Sequence, residues 1–89
     1  MKSFEEFLSE EYNQHRANAL KFNKAAAAHR VGTDDYHHNA ALYHHHMSKA
    51  ETSAGNHAGS NDHRNQVMIH SSKVMDKGAR DRLHGHLDK

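Results

Sequence analysis

Histidine is the residue of this chain that could do chemistry. There are twelve in 89 residues: His15, His29, His37, His38, His44, His45, His46, His57, His63, His70, His84 and His86. A neutral imidazole ligates zinc and other transition metals. With an unperturbed pKa near 6.5, it is also the side chain that takes up a proton just below neutrality. On a single helix, chelation needs two rings three or four residues apart, so that both reach one ion. No histidine pair here has that spacing. The pairs recur at seven instead, His37 with His44, His38 with His45 and His63 with His70, about 10 Å apart by helical rise. A specific zinc site would therefore draw on different helices, with His15 or His29 opposite His63 or His70. The cluster His37, His38, His44, His45 and His46 is expected to bind metal only weakly, as any His-rich peptide does. Most of these histidines read as polar, partly buried helix residues.

Other chemistries find no support. There is no Gly-rich phosphate loop, no nucleophile elbow and no His-Glu-x-x-His pair, and with no cysteine there can be neither a thiolate ligand nor a disulfide. A chain of this size with so small a core would struggle to hold a catalytic triad in register. The expectation is that it is not an enzyme and has no cofactor.

The elements that must position the histidines are helices. A first helix is expected from about Ser3 to Val31, with Ser3 and Glu6 forming a capping box and Gly32 ending it. Its residues Leu8, Tyr12, His15, Ala19, Phe22, Ala26 and His29 alternate at spacings of four and three, a heptad seam. Thr33 caps a second helix to about Ala54, with Asp34 and Asp35 in its positively polarised first turn and a seam of Tyr36, Ala40, Tyr43, Met47, Ala50 and Ala54. An internal echo, Tyr36-His37-His38 and Tyr43-His44-His45, repeats at seven within it. Residues 53–60, SAGNHAGS, read as a loop. Ser60 or Asn61 then caps a third helix to about Lys77 with the seam His63, Val67, His70, Val74 and Lys77. Leu83 and Leu87 suggest a last short helical piece. The expected fold is all-α: a small three-helix bundle, or a helical hairpin with a loosely packed third helix.

Composition limits what such a bundle can bury. Leu, Ile, Val and Phe together make 12 of 89 residues, and the net charge is only +1. Few large apolar groups without strong self-repulsion favours marginal helices over coil. No apolar run approaches a signal-peptide core or a membrane span, so a soluble intracellular product with no membrane partner is expected.

The first ten residues, MKSFEEFLSE, carry a different kind of signal. Phe4, Phe7 and Leu8 share one helix face, with Glu5, Glu6 and Glu10 on the others. The pattern Met1, Lys2, Phe4, Phe7, Leu8, Glu10 at the start of the chain resembles the capsid-targeting propeptide of internal head proteins in T-even-type tailed phages. The resemblance covers these ten residues alone. It implies delivery into the assembling prohead by contact with prohead core or capsid proteins. It further implies cleavage by the prohead protease at Leu8-Ser9-Glu10, before Glu11, which divides the chain into a propeptide, 1–10, and a helical domain, 11–89. The same resemblance implies a location inside the capsid of the virion, with the host cytoplasm during assembly and after ejection, and in some members action against a host defence protein. A minor prohead core or scaffold component is the first rival, and a His-rich metal- or pH-responsive binding module the second.

Removal of 1–10 would raise the net charge from +1 to +3, because that segment holds one Lys and three Glu. Two basic groups, Arg16, Lys21, Lys24 and Arg30, and Lys73, Lys77, Arg80 and Arg82, could then contact the phosphates of packaged DNA without sequence preference.

Overall fold

Three capping residues divide the chain. Thr33, in extended backbone, accepts the Tyr36 amide on its hydroxyl at 3.2 Å. Asn56 accepts the Gly59 amide at 3.0 Å, and Asp76 the Ala79 amide at 2.8 Å. Each satisfies an amide that the first turn of a helix leaves without a carbonyl partner. In this computed structural model, which describes residues 4–87, the result is all-helical: α1 (Phe4–Ala27), α2 (Asp34–Ser53), α3 (His57–Lys73) and α4 (Lys77–Leu87). The main contacts of α1, α3 and α4 are all with α2, and the molecule measures 47 × 23 × 19 Å. The fold is therefore a four-helix arrangement on one central helix, not the expected three-helix bundle.

The boundaries explain the difference. α1 stops at Ala27 and not at Val31, because residues 28–32 are needed to turn the chain into the fixed cap at Thr33. Gly32, at φ 93°, serves that turn. His29 consequently leaves the seam and is exposed. The expected eight-residue loop at 53–60 shrinks to Ala54, Gly55 and Asn56. Gly55 adopts φ 81°, its amide donates to the Thr52 carbonyl and the Asn56 amide to the Glu51 carbonyl, which is a complete Schellman ending. Asn56 closes that ending and caps α3 at once, so α3 begins at His57 and not at Ser60 or Asn61. At its far end Val74 goes extended, which stops α3 before Lys77 and places the Val74 side chain fully inside. The proposed cap and capping box at Ser3 and Glu6, and the side chains of Phe4, Phe7 and Leu8, lie outside what the structure describes.

The core is thin. Along α1 and α2 it includes the buried alanines Ala19, Ala26, Ala40 and Ala50, and Phe22 of α1 adds a ring stacked on His46 of α2. A second cluster joins Ala41 and Leu42 of α2 to Val74 and to Leu83 of α4, with Phe22, Ala79 and Leu87 packed around it. Asp34 ties this end together, accepting the Met75 amide at 2.8 Å and the Asp76 amide at 3.0 Å on its two carboxylate oxygens. These bonds favour the ionised form and hold the Asp34 carboxyl below the usual carboxylate range.

Leu83 is fully buried, whereas Met75 is 84% exposed. Leu83→Ala is expected to lower the unfolding free energy by about 2–4 kcal/mol and Met75→Ala by less than about 0.5 kcal/mol. Urea denaturation followed by circular dichroism measures both.

Candidate functional site

A ladder of four histidines lies between α2 and α3. Because the helices are antiparallel, seven residues up one correspond to seven residues down the other, and the two seven-residue repeats come into register. His44 meets His63 with their Nδ1 atoms 2.8 Å apart, and His37 meets His70 with their Nδ1 atoms 2.9 Å apart. The two pairs are themselves joined, since the rings of His44 and His70 stack with centroids 5.6 Å apart and planes within 13°. Tyr36 stands edge-on to His37 and His70, and Tyr43 edge-on to His44 and His63. Toward the Asn56 turn the same interface continues as hydroxyls. Ser48 Oγ lies 2.9 Å from Ser60 Oγ, which lies 2.8 Å from Thr52 Oγ1. This side of α3 is thus lined largely by polar groups, of which His63, His70 and Ser60 find partners on α2, whereas the Ser71 hydroxyl is buried without a hydrogen-bond partner.

The chemistry of a paired Nδ1 contact is specific. One ring must carry hydrogen on Nδ1 while the other presents its lone pair there, so a neutral pair combines an Nδ1–H tautomer with an Nε2–H tautomer. Surroundings favour the neutral rings. Burial, with His63 and His70 nearby, lowers His44 to about 4. His70 is lowered by burial and then by His37 and Lys73. His37, only 7% exposed, is lowered by burial and by Lys73, against a smaller opposing pull from Asp34.

The other histidines of α2 point elsewhere, because consecutive helical residues are about 100° apart around the axis. His38 meets His86 of α4 edge to face at 5.8 Å. His45 lines an open apolar groove with Ser48, Lys49, Arg64, Val67 and Met68. Burial, then Lys49, His46 and His15, takes it to about 4. His46 stacks on Phe22 of α1 at 5.3 Å with parallel rings, its Nδ1 buried without a hydrogen-bond partner. The expected surface cluster of His37, His38, His44, His45 and His46 is thus distributed over three neighbours. Among the described residues no three potential ligands gather into a metal site.

The expectation of cross-helix histidines holds for His63 and His70 but not for their partners. They face His44 and His37 of α2. His15 instead lies 3.9 Å from Glu11 on its own helix, and His29 is exposed beyond the end of α1. The signal that identifies the true partners is the shared period of seven on the two helices. Of the basic residues, Arg16, Lys21, Lys24, Arg30, Lys73, Lys77 and Arg82 are exposed. Arg80 is half-buried and donates from Nε and Nη2 to the Val74 carbonyl at 3.1 and 2.7 Å, so its guanidinium closes the end of α3.

No protein-family model, curated protein or solved structure matches the chain. Among the described residues no helix is long and apolar enough to cross a membrane.

A double-mutant cycle on His44 and His63, each replaced by Ala, is expected at pH 7.5 to give a coupling of about 0.5–1.5 kcal/mol. The same cycle on His45 and His63 is expected to give a coupling near zero. Chemical denaturation of the four chains in each cycle is the measurement.

Proposed function

We propose that this chain is a small helical passenger of a tailed-phage head, carried into the prohead by Met1–Glu10, cut after Glu10 and kept beside the packaged DNA. What carries the reading is the sequence pattern Met1, Lys2, Phe4, Phe7, Leu8 and Glu10, with Leu8-Ser9-Glu10 as the cleavage signal. Glu11 and His15 line a groove with Ser48, Lys49, Thr52 and Ser53 of α2. Cleavage at Glu10–Glu11 would leave a chain that begins within α1 and keeps Glu11 and His15 beside α2. Residues 4–10 are helical, and a protease that binds extended chain needs that stretch to unwind. Unwinding there leaves the contacts of Ala19 and Ala26 with α2 in place. The division into a removable 1–10 and a retained 11–89 rests on the same sequence pattern.

In this reading the protein is not an enzyme. Its partners are the prohead protease, core or capsid proteins and, through exposed Arg16, Lys21, Lys24, Arg30, Lys73, Lys77 and Arg82, DNA phosphates. Such contacts weaken steeply with salt. Action on a host defence protein after ejection belongs to the resemblance alone.

Protein recovered from purified mature particles is expected to begin at Glu11, and Leu8→Ala or Glu10→Ala to block the cut. Mass spectrometry of the particle contents measures this. An intact Met1 in mature heads would overturn the processing. Complete absence from them would assign the chain to the digested core or to a place outside the particle. In hydrogen exchange of the full chain, amides of residues 5–10 should be the least protected of α1.

A further inference from the structure

We infer that His37–His70 and His44–His63 form a two-pair clasp that holds α3 on α2 and releases the middle of α3 when each pair takes a second proton. The argument is one of proton counting and does not depend on where the protein travels. A neutral pair shares one hydrogen between two Nδ1 atoms. A first added proton goes to the bare Nε2 of the ring that donates, and the Nδ1–H···Nδ1 bond survives with a charged donor. A second proton can only enter at the accepting Nδ1. Two N–H groups then face each other across 2.8–2.9 Å, and the contact that held the helices becomes repulsive. The His44–His70 stack brings the two pairs within one ring spacing, so charge on one pair opposes charge on the other.

The surroundings offer little relief. α1 contributes Asn23, Ala26 and Ala27 to the groove beside Tyr36, Tyr43, His44 and His70, and none of these three titrates. α3 adds Lys73, which opposes protonation of both His37 and His70. Asp34 favours protonation of His37, but its effect there is smaller than those of burial and Lys73. α4 faces His38 through His86, which opposes protonation of His38. The rings of His44, His37 and His70 are more basic in the unfolded chain than in the folded one. Unfolded chain therefore binds more protons, and stability falls as the pH drops below about 6.5, with the loss at His44 complete near 4.

The test is amide hydrogen exchange by NMR on the full chain at pH 7.5 and 5.0, corrected for intrinsic rates. Residues 63–71 of α3 are expected to lose at least tenfold more protection than residues 19–26 of α1. His44→Gln with His63→Gln, whose amides bond across the same gap without titrating, should shrink that loss, whereas His29→Gln with His84→Gln, both exposed, should leave it unchanged. If the first variant does not fold, the unaltered protein still decides the matter through its imidazole nitrogen shifts at pH 7.5. One ring of each pair should be the Nδ1–H tautomer, and four Nε2–H rings would overturn the clasp. Protection of α3 that persists at pH 5.0, equal loss in all helices, or loss undiminished in the glutamine pair variant would each overturn it too.

Discussion

The constraint on which the rest of the structure depends is that α2 must satisfy three neighbours with almost no large apolar side chains. Leu83 and Val74 are the largest side chains fully buried among the described residues, and the rest of the core is mainly alanine. Alanine buries little area, so each interface gains modestly from the hydrophobic effect. Toward α1 the solution is buried alanine together with the Phe22–His46 stack. Toward α3 it is a polar seam in which imidazoles and hydroxyls bond to each other, which leaves that interface dependent on hydrogen bonds whose strength varies with protonation. The two faces of one helix thus respond differently to the medium.

Much of this was legible in the chain. Thr33 and its following aspartates mark the start of α2 because a side-chain oxygen there accepts a first-turn amide, and His63, Val67 and His70 of the expected α3 seam are half-buried, whereas Val74 lies past the end of α3 and Lys77 is exposed in α4. What was not legible depended on context. Gly55 reads as a loop residue until Asn56 is seen to end one helix and begin the next, and only the assembled Schellman geometry shows that. His29 sits in perfect heptad spacing with Ala26 and Phe22, but the chain needs those residues to turn. Periodicity cannot report where tertiary geometry ends a helix.

The candidate site illustrates a further limit. Spacing within one helix excludes intrahelical chelation, and that inference stands. Pairing between helices depends on which two faces meet, and the heptad seams of α1 and α3 suggested each other when α2 in fact lies between them. The seven-residue echo on α2 was the missing clue: two helices repeating at the same interval and running in opposite directions bring every repeat into register once one pair is in register. The N-terminal pattern, by contrast, is a matter of sequence alone, and the packing of the helices does not bear on it.

The Asp34 carboxylate gives α3 a property that its contacts with α2 alone would not. α3 is fastened at one end by the three-residue turn at Gly55 and at the other by the Met75 and Asp76 amides on Asp34. The latter anchor is a carboxylate whose affinity for protons is reduced, so it stays intact across the range in which imidazoles charge. A segment tethered at both ends cannot diffuse away when its middle loosens. The loop-closure entropy of bringing it back is already met by the tethers, and its effective concentration beside α2 stays high. Reassembly after a return to neutral pH then needs only side-chain reorganisation over a few turns, with no search for register.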